Sequence, residues 1–191
     1  MIFSTYQFIF LFLPITFFVY FFFNHFKYYS IAKIWLAVAS LYFYGQGSPD
    51  FFVFFLASVT GNYLVGSCLG HLDGEQKAQR KLLLFIGVMA NVALLGYYKY
   101  TDFFIENFNV LTGMDFALKH IALPIGISFF TFQLIAFLVD AYRGETKQYD
   151  FINYLLFITF FPQLIVGPII HHGEVVPQFE NEKNLKLNYD N

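Results

Sequence analysis

Charge and cysteine are what this chain has least of. Only 13% of its 191 residues are charged, against about 25% in an ordinary soluble domain. Its 11 Lys and Arg and 13 Asp and Glu leave a formal net charge of −2, with no basic run. Nothing in it can neutralise a phosphate backbone, so nucleic acid is excluded as a partner. The single cysteine, Cys68, lies inside an apolar segment. One thiol makes neither a disulfide framework nor a cysteine metal site, and its expected role is that of a small buried hydrophobe. Residues 1–6 carry no basic residue before the first apolar run, and no small-residue cleavage pattern follows it. The expectation is that this segment stays in the membrane and is not removed as a signal peptide.

Apolar residues fill the space that charge leaves. They make up 58% of the chain, with 29 Phe and 14 Tyr, and the mean hydropathy is +0.55. A soluble core of this size could not hide so much apolar surface, so lipid has to cover part of it. The runs do not alternate with period 2 as barrel strands would. The fold class predicted is therefore all-α: a polytopic membrane protein with about six transmembrane helices. They fall at 6–23, 28–44, 51–69, 82–98, 121–139 and 151–170, each close to the ~20 residues that cross ~30 Å of hydrocarbon. Lys33, in the short second segment, is placed to snorkel to an interface. Residues 103–111, FFIENFNVL, are too short to span and read as an interfacial piece. The division is a membrane domain over 1–170 and a polar segment over 171–191.

Loop charge gives the orientation. Lys27, Lys33, Lys77, Arg80, Lys81, Arg143 and Lys147 belong to the first, third and fifth connections, while the second and fourth have only Lys99 and Lys119. The bias puts the odd connections in the cytoplasm and the N-terminus outside. The aromatic load reads as lipid-facing bulk and interfacial belts.

Polar groups at membrane depth are expensive, and each asks for a reason. Asn62, flanked by Gly61 and Gly66, and Asn91 in the fourth segment suit helix–helix hydrogen bonding. Lys99 and Asp102, three apart, suit an interfacial ion pair. The fifth segment carries Pro124 and Gly126, which open or bend it, then Ser128, Thr131 and Gln133, and ends on Asp140 and Arg143. A helix lining a pathway explains that pattern, and so does a kinked packing helix with a terminal salt bridge. The sixth is broken by Pro162 and again by Gly167-Pro168, with Gln163 beside the first break. Broken helices at membrane depth are tolerated where they are buried in protein or line a cavity. His171 and His172 follow. Adjacent helical residues point about 100° apart, so they cannot chelate one ion as an i, i+4 pair would, and no metal is expected. The candidate pathway-lining residues are Gln133, Asp140, Arg143, Gln163, His171 and His172.

The stretch LPIGISFFTFQLIAFLVDAYRG (123–144) followed by FFPQLIVGPIIHHGEVVPQF (160–179) resembles the bacterial, alginate O-acetylase-like branch of the membrane-bound O-acyltransferases. The opening MIFSTYQFIFLFLPITFFVYF and YYKYTDFF are similar to that branch too. The resemblance implies an enzyme that passes an acyl group, in this branch an acetyl group, from a cytoplasmic donor towards an extracytoplasmic polysaccharide hydroxyl. It implies a donor such as acetyl-CoA, no bound cofactor, and a location in the bacterial inner membrane. Besides the lipid bilayer, it implies periplasmic acetyltransferase or polysaccharide-modification partners. The family's catalytic histidine lies in the later half of a longer helical fold. Residues 1–191 are thus expected to be an incomplete, N-terminal part with no catalytic residue, His171 and His172 not being that histidine. A transporter or channel piece is the rival reading, since broken helices with Gln133 and Asp140 also suit a substrate pathway. A structural membrane anchor is the third.

Overall fold

The computed structural model describes residues 3–47, 49–72, 76–145 and 150–164. They form eight α-helices: α1 Leu13–His25, α2 Tyr29–Gly47, α3 Phe52–His71, α4 Lys77–Leu95, α5 Thr101–Thr112, α6 Ile127–Arg143, α7 Phe151–Thr159 and α8 Phe161–Leu164. No strand occurs among the described residues. The all-α membrane reading holds. Three helical stretches, Phe8–His25, Pro49–His71 and Lys77–Thr112, are long and apolar enough to cross a membrane.

The other three predicted spans are helical but shorter or more polar, each for a local reason. In α2 the apolar run is diluted by Lys33, Ser40 and Gln46. α6 begins at Ile127, six residues later than expected, because Gly126 sits at φ +72° and Pro124 precedes it. That left-handed conformation suits glycine and stops a helix from running through it. α7 ends at Thr159 because the ring of Pro162, in a continuous helix, would meet the carbonyl of Ile158.

Residues 103–111 correct the sequence reading. They are not a separate piece but part of α5, which continues α4 through a π-turn at Gly96–Tyr100. At 1.5 Å per residue the 36-residue stretch is about 54 Å long, well beyond the ~30 Å of hydrocarbon. Its departure from helical geometry is at Tyr100, φ −118° and ψ 4°.

Side-chain clamps hold the bundle. Asn62 of α3 and Asn91 of α4 exchange two hydrogen bonds: Asn62 Nδ2 donates to Asn91 Oδ1 at 3.2 Å, and Asn91 Nδ2 to Asn62 Oδ1 at 2.7 Å. Each amide also donates to the carbonyl one turn back, of Ser58 and Gly87, at 2.8 Å. The helix–helix reading of both asparagines is correct. Of the two glycines beside Asn62, only Gly66 is a close-approach point, since a Cβ on Gly61 would meet nothing within 4 Å. Trp35 Nε1 donates to the Thr16 carbonyl at 3.2 Å, tying α2 to α1. Tyr154 Oη donates to the Val59 carbonyl at 2.7 Å, tying α7 to α3. Cys68 is exposed, not the buried hydrophobe expected.

Interhelical hydrogen bonds in membranes average about 0.6 kcal/mol and reach about 1.7. A double-mutant cycle of Asn62→Ala and Asn91→Ala, followed by unfolding in mixed micelles, should therefore give a coupling of roughly 0.6–1.7 kcal/mol. Strictly additive losses would show that the pair contributes nothing as a pair.

Candidate functional site

α6 is the most polar of the buried helices. Thr131, Gln133 and Asp140 are all buried, with Gln133 2% and Asp140 3% exposed. Positions 133, 137 and 140 are spaced by four and three residues and share one face. Arg143, one turn beyond Asp140, is exposed. The two ends of the predicted terminal pair thus lie in different surroundings, one turned into the protein and one out of it.

The α7–α8 break carries the other buried glutamine. Phe160 leaves helical geometry at φ −50° and ψ 107°, and the chain restarts as α8 with Pro162 in its first turn, where its missing N–H costs nothing. The freed N–H of Phe161 donates to Ser40 Oγ of α2 at 3.4 Å, and Ser40 Oγ donates to the Leu36 carbonyl at 2.8 Å. The Phe161 ring lies in a box of Phe8, Phe12 and Phe43, with centroids 5.9, 5.2 and 5.5 Å away. Gln163, beside the break, is buried. Gln133 and Gln163 both face protein, which suits a pathway wall and a packing helix alike.

Both glutamines keep hydrogen-bonding capacity in reserve. Gln133 Oε1 and Gln163 Nε2 are buried without a partner among the described residues. One is an acceptor waiting for a donor, the other a donor waiting for an acceptor. An orphaned buried polar group costs about 1–3 kcal/mol, so each is a feature to account for. Gln133 can accept from a hydroxyl, and Gln163 can donate to a hydroxyl or a carbonyl. They cannot take a proton from one. The described histidines, His25, His71 and His120, are all exposed and lie at helix ends or in the 113–126 segment. His171 and His172 fall outside the described residues. Among the described residues no three His, Cys, Asp or Glu side chains come together as a metal site. A groove of about 350 Å³ lined by Leu11, Phe12, Ile15, Trp35 and Tyr42 lies between the N-terminal helix and α2, and involves neither Gln133 nor Gln163.

Sequence reading missed three contributors. Ser40 was hidden as one hydroxyl in an apolar helix, and the Phe box was counted as lipid-facing bulk. Lys33 donates to Asn153 Oδ1 at 3.0 Å, just inside the Asp150 cap of α7, where Asp150 Oδ1 accepts from the Asn153 N–H at 2.8 Å. The Lys99–Asp102 pair does not form. Lys99 Nζ donates to Ser128 Oγ at 3.3 Å, while the Asp102 carboxylate accepts from the N–H groups of Lys119 and His120 at 2.8 and 2.9 Å.

Residues 76–191, which include α4 to α8, match the model of the membrane-bound O-acyltransferase family. The chain is 39% identical to a peptidoglycan O-acetyltransferase of Helicobacter pylori, over all of this chain and 41% of that protein. It is 36% identical to a probable alginate O-acetylase of Pseudomonas aeruginosa and 38% identical to one of Pseudomonas putida. Those alignments cover 95% of this chain and 35% and 37% of the relatives. The chain thus spans about two fifths of the length of the curated relatives it matches. No solved structure matches it.

If the free acceptor of Gln133 is kept for a ligand, Gln133→Met should raise stability by about 1–2 kcal/mol, because it removes an orphaned carbonyl and keeps the volume. The check is the thermal midpoint in detergent. A drop of similar size would mean that Gln133 is already satisfied and serves packing alone.

Proposed function

The chain belongs to the membrane-bound O-acyltransferase family, and from that premise we propose that it is the N-terminal part of an enzyme that O-acetylates an extracytoplasmic polysaccharide. The observation that carries the reading is the coincidence of the family match over 76–191 with buried, unsatisfied polar groups on α6 and α8. The donor is a cytoplasmic acyl thioester such as acetyl-CoA. The acceptor is a polysaccharide hydroxyl, a reading supported by the O-acetylation of peptidoglycan and of alginate in the relatives' names. The enzyme sits in the bacterial inner membrane with its N-terminus outside, and hands its acetyl group on with periplasmic acetyltransferase or polysaccharide-modification partners.

Acyl transfer to a hydroxyl requires a base near the acceptor oxygen and donors near the developing oxyanion. These groups supply position: the carboxamides of Gln133 and Gln163 orient the passing group, and the buried Asp140 lines the way to it. The base comes from the family's catalytic histidine, outside residues 1–191. The breaks and buried polar groups that also suited a transporter are accounted for by the family match, so that reading has no separate support.

The test is transfer of labelled acetyl from acetyl-CoA to envelope polysaccharide, comparing the complete protein, residues 1–191 alone, and the complete protein with His171→Ala and His172→Ala. Acid–base help alone is worth ~10²–10⁴-fold, so residues 1–191 should show no turnover. The double variant should show a partial loss. Turnover by residues 1–191, or complete loss in a normally folded double variant, would return the chemistry to this chain.

A further inference from the structure

α6 is held at one height by the helices beside it. α4 and the π-turn that follows it run antiparallel to α6 and touch it at three levels. At one end the Arg80 guanidinium donates to the Tyr142 carbonyl and lies 5.2 Å from the centre of the Tyr142 ring. At the other, Lys99 meets Ser128. Between them Leu138 sits over Gly87, where an added Cβ would come 2.8 Å from Leu138 Cδ1 and 3.3 Å from Val65 Cγ1. On α3, a Cβ at Gly66 would come 2.3 Å from Phe137 Cε1 and 2.7 Å from Cζ.

Both neighbours are enclosed. Phe137 is buried and its ring is backed by Tyr154 with centroids 4.3 Å apart. Leu138 is fully buried. The reciprocal Asn62–Asn91 bonds fix α3 to α4, so the two glycines form one rigid double seat under consecutive residues of α6. Phe137 lies between Gln133 and Asp140 on the same helix, so a shift at the seat moves both.

We propose that Gly66 and Gly87 are positioning residues for acyl transfer: as seats for Phe137 and Leu138 they set the height at which α6 presents Gln133 and Asp140. The inference rests on the reading of α6 as a wall of the transfer path. Adding one methyl group to either seat pushes α6 out, and misplacement by about 1 Å can cost ~10²-fold in rate. The clash is specific to named atoms, so removing those atoms relieves it. Leucine at 137 lacks Cε1 and Cζ, and valine at 138 lacks the δ carbons.

The experiment uses the complete protein with Cys68→Ser. Gly66→Ala and Gly87→Ala are each combined with Phe137→Leu and with Leu138→Val, and kcat and KM for acetyl transfer are measured. In parallel, the distance between spin labels at Leu64→Cys and Phe132→Cys, both on exposed surfaces, reports the spacing of α3 and α6. Each glycine variant should lose roughly tenfold or more in kcat, with KM little changed, and should shift the distance. Only the matched partners, Gly66→Ala with Phe137→Leu and Gly87→Ala with Leu138→Val, should restore both. Where a single variant does not accumulate, matched and mismatched pairs are compared for accumulation and rate, and equal behaviour of the two overturns the seat. A rate loss without a distance change, or no change in either, also overturns it. A distance change that leaves kcat intact keeps the seat but removes α6 from the transfer path.

Discussion

Every backbone N–H and C=O at membrane depth has to find its partner inside the protein, and the seating of α7–α8 on α2 depends on a place where the chain breaks that rule and repairs it. Pro162 ends α7 and sets free the N–H of Phe161. Each such group left bare in hydrocarbon costs several kcal/mol. Ser40, on a helix 121 residues earlier in the chain, accepts it. The same phenylalanine puts its ring among Phe8, Phe12 and Phe43, so one residue carries both the polar repair and the packing that keeps lipid away from it. This makes α2 the support of the break, and it explains why α2 is the helix rich in small buried residues: Ala32, Ala37, Ala39 and Ser40.

From that repair follows a division of labour. α1 to α4 make a frame through main-chain and amide contacts: Trp35 to Thr16 and Asn62 to Asn91. α6 and the broken α7–α8 are seated on it and carry the polar groups whose capacity the frame does not use. The frame is not free of orphaned groups, since both side-chain atoms of Asn24 and Arg80 Nε are buried without a partner among the described residues. Gln133 and Gln163 differ in lying on the helix and at the break seated on that frame, and polar groups at membrane depth are expensive wherever they occur.

Much of this was legible in the sequence, and what was not follows a pattern. Composition gave the membrane class. Proline and glycine gave the breaks at 124–126 and 162, because their steric demands are local. Asn62 and Asn91 could be read as a helix–helix pair because an amide in an apolar run has few other uses. Properties that depend on a distant residue stayed hidden. Ser40 looks like any small residue until Phe161 is placed beside it, and Lys33 looks like a snorkelling lysine until Asn153 is. Lys99 and Asp102 had the right spacing for a pair, but the returning 113–126 segment offered Asp102 two N–H groups and Ser128 offered Lys99 a hydroxyl. The continuity of α4 into α5 was missed because a π-turn has no sequence signature of its own.

The central claim is that the polar face of α6 is turned into protein while the helix as a whole lies at membrane depth. Spin labels placed one at a time along 128–140 of the complete protein in bilayers, read by collision with lipid-dissolved oxygen, test it directly. Oxygen access should be high at Phe132, which is 48% exposed, and low at 133, 137 and 140, repeating with the helical period of 3.6. Access at 133 and 140 as high as at 132 would put both polar residues in lipid and contradict the account.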